Sequence, residues 1–137
     1  MERTLAIIKP DAIALKYAGN ILRMIELADF NILAMRLFKL DKLQAQGFYY
    51  VHKDKPFFKD LITFMTSGPI IVMVIESPDG VAKWRKLMGE TDPKKASDGT
   101  VRKLYGTNIE RNAVHGSDSL ENAHSEIHYF FSAIELI

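Results

Sequence analysis

Ile70-Ile71-Val72-Met73-Val74-Ile75 is the longest apolar run in the chain and its clearest strand. It is far short of the roughly 20 residues that span a bilayer. Ser67-Gly68-Pro69 stops the element before it, where Pro56 suits the first turn of a helix with Phe57, Leu61 and Met65 on one face. After it, Asp79 opens a helix with apolar positions at Val81, Trp84 and Met88, and Gly89 ends that helix. Further upstream, Leu5-Ala6-Ile7-Ile8, closed by Pro10, reads as a central strand covered on both sides. Ile21, Leu22, Ile25 and Ala28 recur at helical spacing between Ala18 and Asp29. Ile32 to Leu40 reads as a strand with Leu33, Met35 and Leu37 on one face, and Asp41 as the N-cap of a helix reaching Tyr50.

The segment from Gly89 to Asn112 shows no clean periodicity and is predicted to be a long loop, a length usually tied to function or disorder. Ala113-Val114-His115 is a candidate short strand. Asp118-Ser119-Leu120-Glu121 has capping-box form, before a helix with Leu120, Ala123, Ile127 and Phe130 on one face. The order β-α-β-α-α-β-α-loop-β-α predicts an α+β fold. The expected form is a ferredoxin-like βαββαβ sandwich whose four-stranded antiparallel sheet is covered by helices. With no repeat, linker or low-complexity tract, residues 1–137 are expected to form a single domain.

Composition narrows the function. Apolar residues make up 47% of the 137 and charged residues 26%, which fits one domain with a buried core. Eighteen basic and 17 acidic residues leave a net charge of +1, so nothing global points to nucleic acid or an anionic membrane. Cysteine is absent, which excludes disulfides, thiolate metal sites and cysteine nucleophiles. The apolar stretch after Met1-Glu2-Arg3-Thr4 is too short for a signal peptide, and a cytoplasmic location is expected.

The densest polar cluster is Asn112-Ala113-Val114-His115-Gly116-Ser117-Asp118-Ser119. A neutral imidazole is a good nucleophile near physiological pH, and Gly116 would let a reacting group approach His115. The same residues could equally form a hydrogen-bonded turn. Lys9, Arg85 and Arg102 are each ordinary surface charges when taken singly, but with a nucleophilic histidine they could neutralise a polyphosphate. No Gly-x-x-x-x-Gly-Lys-Ser/Thr and no Gly-x-Gly-x-x-Gly is present, so any phosphate site must be built from side chains. Phe57 and Phe58 point in different directions on a helix, so one can be left free to stack on a base, although two core aromatics is the plainer reading. His124 and His128 lie four apart with Glu126 between them, but Glu126 is turned roughly 200° away from His124 at about 3.6 residues per turn. That spacing predicts exposed histidines rather than a metal site, and His52 is also expected at the surface.

Several segments together resemble the nucleoside diphosphate kinase family. They are Arg3 to Ala12, Pro56-Phe57-Phe58, Ser67-Gly68-Pro69, Leu87 to Pro93, Gly99-Thr100-Val101-Arg102, and Asn112 to Ser119, the last close to a family signature. The resemblance implies transfer of a γ-phosphoryl group from a nucleoside triphosphate, typically ATP, to a nucleoside diphosphate, which maintains NTP and dNTP pools. It implies a ping-pong route through a pros-phosphohistidine at His115, with Glu126 orienting the imidazole and Ser119 supporting that network. Lys9, Tyr49, Arg85, Thr91, Arg102 and Asn112 would contact phosphates or sugar, and Phe57 would stack on the base. Mg²⁺ would be carried by the nucleotide rather than by a protein cage. A homo-oligomer, tetramer or hexamer, would follow, with no membrane partner and no specific nucleic acid. The alternative is a catalytically silent nucleotide-binding regulatory module on the same fold. The chain departs from the common family pattern at Asp98, at Lys103-Leu104-Tyr105-Gly106 and at Tyr129-Phe130-Phe131, none of them among the expected chemical positions.

Overall fold

Strands β1 (Glu2–Ile8), β2 (Asn31–Phe38), β3 (Ile70–Ser77) and β4 (Val114–Gly116) form one antiparallel sheet in the order β2-β3-β1-β4. The computed structural model describes residues 1–137. The helices are α1 (Pro10–Ala14), α2 (Ala18–Leu27), α3 (Lys42–Phe48), α4 (Phe58–Met65), α5 (Gly80–Met88), α6 (Val101–Tyr105) and α7 (Leu120–Phe130). The architecture is the expected α+β sandwich.

The unbroken apolar runs of β1 and β3 follow from burial on both faces, because neighbouring residues point to opposite sides of the sheet. Leu5, Ile7, Val72 and Val74 face one core with Ala45, Ile62, Met65 and Ile127 from α3, α4 and α7. Ala6, Ile8, Met73 and Ile75 face the other with Ile21, Ile25, Trp84 and Met88 from α2 and α5. Each large side chain fully withdrawn from water in this way contributes about 1.5–3 kcal/mol.

Four local expectations are revised. Leu33, Met35 and Leu37 do not share a face: Ile32 pairs with Ile75 and Ala34 with Val74, so Leu33 is an extra residue in β2. That bulge puts Leu33 in the core while Met35 and Leu37 are exposed on the edge strand. Pro56 precedes α4 rather than entering it, and Phe57 is left outside the helix as its N-cap residue. The loop after Gly89 contains α6, whose Thr100 side chain caps the Lys103 N–H. Finally, α7 is capped by Ser119, with Asn122 rather than Glu121 at the third helical position, so no capping box closes there. By contrast Asp41 forms the full box with Gln44.

Candidate active site

His115 is the middle residue of β4 and pairs with Ile7 in β1. This places its ring over the face that α7 covers. Its Nε2 lies 2.8 Å from Glu126 Oε1, with both side chains about one-fifth exposed. Ser117 Oγ donates to the same carboxylate oxygen at 2.9 Å and accepts from the Leu5 N–H at 3.3 Å. A carboxylate that accepts at Nε2 fixes the proton there and leaves the Nδ1 lone pair free. Phe48 and Tyr49 meet the ring edge-on, with centroids at 5.5 and 6.3 Å.

Two sequence expectations change here. Ser119 was expected in the Glu126 network, but its Oγ caps α7 by accepting from the Asn122 N–H, and Ser117 takes its place. Residues two apart on a strand share a face, so Ser117 follows His115 toward α7, and this spacing was the readable signal. Gly116 does not open a path to the imidazole. A Cβ there would lie 2.6 Å from Trp84 Cδ1, so the glycine lets β4 pack on α5, where Trp84 Nε1 donates to the His115 carbonyl.

A cleft of about 740 Å³ runs from His115 outward, lined among others by Lys9, Tyr49, Phe57, Thr91, Arg102, Asn112 and Glu126. Arg85 lies on its neighbouring flank, sharing one hollow with His115 and another with Thr91 and Arg102. The inner wall is a hydrogen-bonded lattice. Lys9 Nζ donates to Asn112 Oδ1 at 2.8 Å, and Asn112 Nδ2 donates to the Thr91 carbonyl at 3.0 Å. Arg102 donates to the carbonyls of Gly89 and Val114, both at 3.0 Å, so it ties the long loop to β4.

This wall holds two cations, Lys9 buried and Arg102 half-buried. Burial, with Arg102 adding to it, lowers Lys9 to about 8, while Asp11 and Glu110 pull the other way. Burial and Arg85 lower Arg102 to about 10. Cations held without enough counter-charge favour an anionic ligand, whose arrival relieves both. Arg102 Nε and the Tyr49 hydroxyl are buried with no partner in the chain. Burial, then Glu126, pushes the Tyr49 hydroxyl up, so it stays protonated and available as a donor.

The outer wall is apolar: Val51, Phe57, Leu61 and Ile109 line it. Phe57 is 49% exposed and Phe58 packs on the core, so the two phenylalanines divide between binding surface and interior. His52 was expected at the surface. It lines the cleft, with its ring 5.7 Å from Phe57. His124 and His128 are exposed on α7 and absent from the cleft lining.

Comparison with known proteins gives the family. The family model described as nucleoside diphosphate kinase matches residues 2–136. A nucleoside diphosphate kinase of Geobacter sp. strain M21 is 54% identical over 137 residues, covering all of both chains. The structure of the Aquifex aeolicus nucleoside diphosphate kinase superposes with a TM-score of 0.97 at 40% identity, covering 99% of each chain. That of a halophilic nucleoside diphosphate kinase from Halobacterium salinarum, in complex with CDP, gives 0.95 at 37% identity, over 99% of this chain and 91% of that one. On the whole-chain match, the relatives and the shared fold, the chain belongs to the nucleoside diphosphate kinase family.

Proposed function

We propose that residues 1–137 act as one domain that moves the γ-phosphoryl group of a nucleoside triphosphate, typically ATP, to a nucleoside diphosphate through a phosphohistidine on His115. The observation that carries this reading is the imidazole held through Nε2 by Glu126, with no partner in the chain at Nδ1, in the lining of a cleft that Lys9 and Arg102 also line. In the first half-reaction the Nδ1 lone pair attacks the γ-phosphorus. The N–P bond forms as the bond to the β,γ-bridging oxygen breaks, and the diphosphate leaves with that electron pair. The positive charge that develops on the ring is stabilised by Glu126, whose carboxylate Ser117 keeps in place. In the second half-reaction an anionic β-phosphate oxygen of another diphosphate attacks the same phosphorus and the N–P bond breaks. His115 returns to its neutral form without net proton transfer.

Lys9, Arg85 and Arg102 neutralise phosphate charge, Thr91 and Asn112 position the sugar and phosphates, and Tyr49 offers its unpartnered hydroxyl to the transferred group. Phe57 stacks on the base. Mg²⁺ would come with the nucleotide, held by its phosphate oxygens rather than by a cage of protein carboxylates. It supplies further neutralisation when bound. The CDP held by the halophilic relative supports diphosphates as ligands here. The reaction maintains NTP and dNTP pools in the cytoplasm, where those nucleotides are consumed. No helix is long and apolar enough to cross a membrane. The open edge of β2, with Met35 and Leu37 exposed, supports assembly into a homo-oligomer, a tetramer or hexamer.

The test is intact mass after mixing with Mg·ATP, then with GDP. The reading expects a gain of one phosphoryl group that is acid-labile, discharged by GDP and absent in His115→Ala. Nucleotide binding without that adduct and without GTP formation would replace it with the silent nucleotide-binding module.

A further inference from the structure

Ala113, two residues before His115, has φ +75°, a region that side chains other than glycine rarely enter. The Val114 N–H donates to the Asn112 carbonyl at 2.9 Å, which closes a three-residue turn around Ala113. A γ-turn with positive φ is rare and strained, and strain of this kind persists only where surrounding structure holds it. The holding group comes from the far end of the sequence. The Ala113 N–H donates to Asp11 Oδ2 at 3.0 Å, and the Lys9 N–H donates to the Ala113 carbonyl at 2.8 Å. The other Asp11 oxygen, Oδ1, is buried and has no partner in the chain. Asp11 therefore spends its one hydrogen bond to another segment on the strained peptide. That peptide lies between two side chains the reaction uses: Asn112, which bonds Lys9 Nζ, and His115, which bonds Glu126.

We propose that Asp11 is a positioning residue: its carboxylate clamps the γ-turn at Ala113 and thereby aims the Asn112 amide and the His115 ring at the same phosphate. Asp11 is absent from the cleft lining and makes no hydrogen bond to the imidazole. The inference rests on the phosphohistidine reading for its kinetic consequence and on geometry alone for the anchor. If the clamp counters backbone strain, glycine at 113, which adopts φ > 0 freely, makes it dispensable. If Asp11 merely supported α1, glycine at 113 would change nothing.

The experiment measures the rate of His115 phosphorylation by Mg·ATP and the imidazole NMR signals of His115 in five proteins. These are wild type, Asp11→Ala, Asp11→Asn, Ala113→Gly and Asp11→Ala/Ala113→Gly. Asp11→Ala is expected to slow phosphorylation by about 10- to 100-fold, the scale of a misplaced reacting group. It should also shift or broaden the His115 signals. Asp11→Asn keeps an oxygen acceptor and should stay within about threefold of wild type, as should Ala113→Gly. The double variant should recover to within about threefold, with restored His115 signals. A wild-type rate in Asp11→Ala, an Asp11→Asn as slow as Asp11→Ala, or no recovery with glycine overturns the proposal. If Asp11→Ala alone does not fold, Asp11→Asn and the double variant decide by the same criteria. A wild type that forms no phosphohistidine defeats the functional reading instead, while the NMR signals still report whether Asp11 orients the ring.

Discussion

At the inner end of the cleft, Lys9, Thr91, Arg102 and Asn112 are tied to one another or to backbone carbonyls by four hydrogen bonds between 2.8 and 3.0 Å. At the outer end, Val51, Phe57 and Ile109 stand 82%, 49% and 61% exposed and offer apolar surface. Every nucleotide carries the same phosphates, so donors for them can be set in place before the ligand arrives. Preorganised charge in a dry site costs no rearrangement at the moment of reaction. Bases differ in their edges but share a flat face, and an aromatic platform binds that face without reading an edge. The contrast therefore predicts an enzyme strict about phosphate geometry and tolerant about base.

The largest break in that contrast is His115→Ala. It should cost more than about 1,000-fold in turnover while leaving nucleotide affinity within a few-fold, because it removes the nucleophile and few binding contacts. Steady-state rates beside calorimetric titration check this. Lys9→Met comes next, with an expected loss of roughly 10- to 100-fold in kcat/KM from one charge-assisted contact.

Lys9 also gives the contrast a pH signature. Because burial holds Lys9 near 8 in the free protein, kcat/KM should fall above about that pH as its charge is lost. Stability should move the other way. Between about 8 and the ordinary 10.5, the unfolded chain binds the Lys9 proton more tightly than the folded one, so this group makes stability rise with pH. Denaturant melts of wild type and Lys9→Met across that window should differ by this rise, and identical pH profiles would remove it.

Smaller effects sharpen the two ends further. Ser117→Ala should slow transfer about tenfold, because Glu126 loses a donor and the Leu5 N–H loses its acceptor. Ser119→Ala should leave transfer unchanged and cost about 1 kcal/mol of stability, the worth of a helix cap. A Ser119 variant that lost activity while Ser117→Ala kept it would reverse that assignment. Phe57→Ala is expected to raise KM about fivefold to tenfold, with similar factors for purine and pyrimidine diphosphates. A change confined to one base would show that the outer end reads more than a ring face.

Much of this was legible in order along the chain. The apolar runs of β1 and β3 had to be central strands, because double coverage is what tolerates four and six consecutive apolar residues without a polar break. Asp41 and Gly89 bounded their helices as their chemistry requires, one by a capping box and one by φ +86°. The polar cluster around His115 and the family resemblance pointed to the inner cleft, and all of its expected residues except Ser119 line that cleft or the hollows beside it. The bulge at Leu33 was not legible, because one inserted residue leaves the composition of β2 untouched while reversing which side chains face inward.

The remaining features depend on pairs far apart in sequence. Asp11 meets Ala113 across 102 positions, and Lys9 meets Asn112 across 103. Gly116 matters because Trp84 fills the space its missing side chain leaves. Local pattern could fix the strands, most of the helices and the polar cluster that holds His115, since periodicity, capping and residue chemistry act within a few residues. Which serine bonds Glu126 and which carboxylate accepts from the Ala113 N–H were settled only when the sheet brought β1 beside β4 with α7 packed against them. Hydrogen bonds and close packing are short-ranged in space and indifferent to separation along the chain.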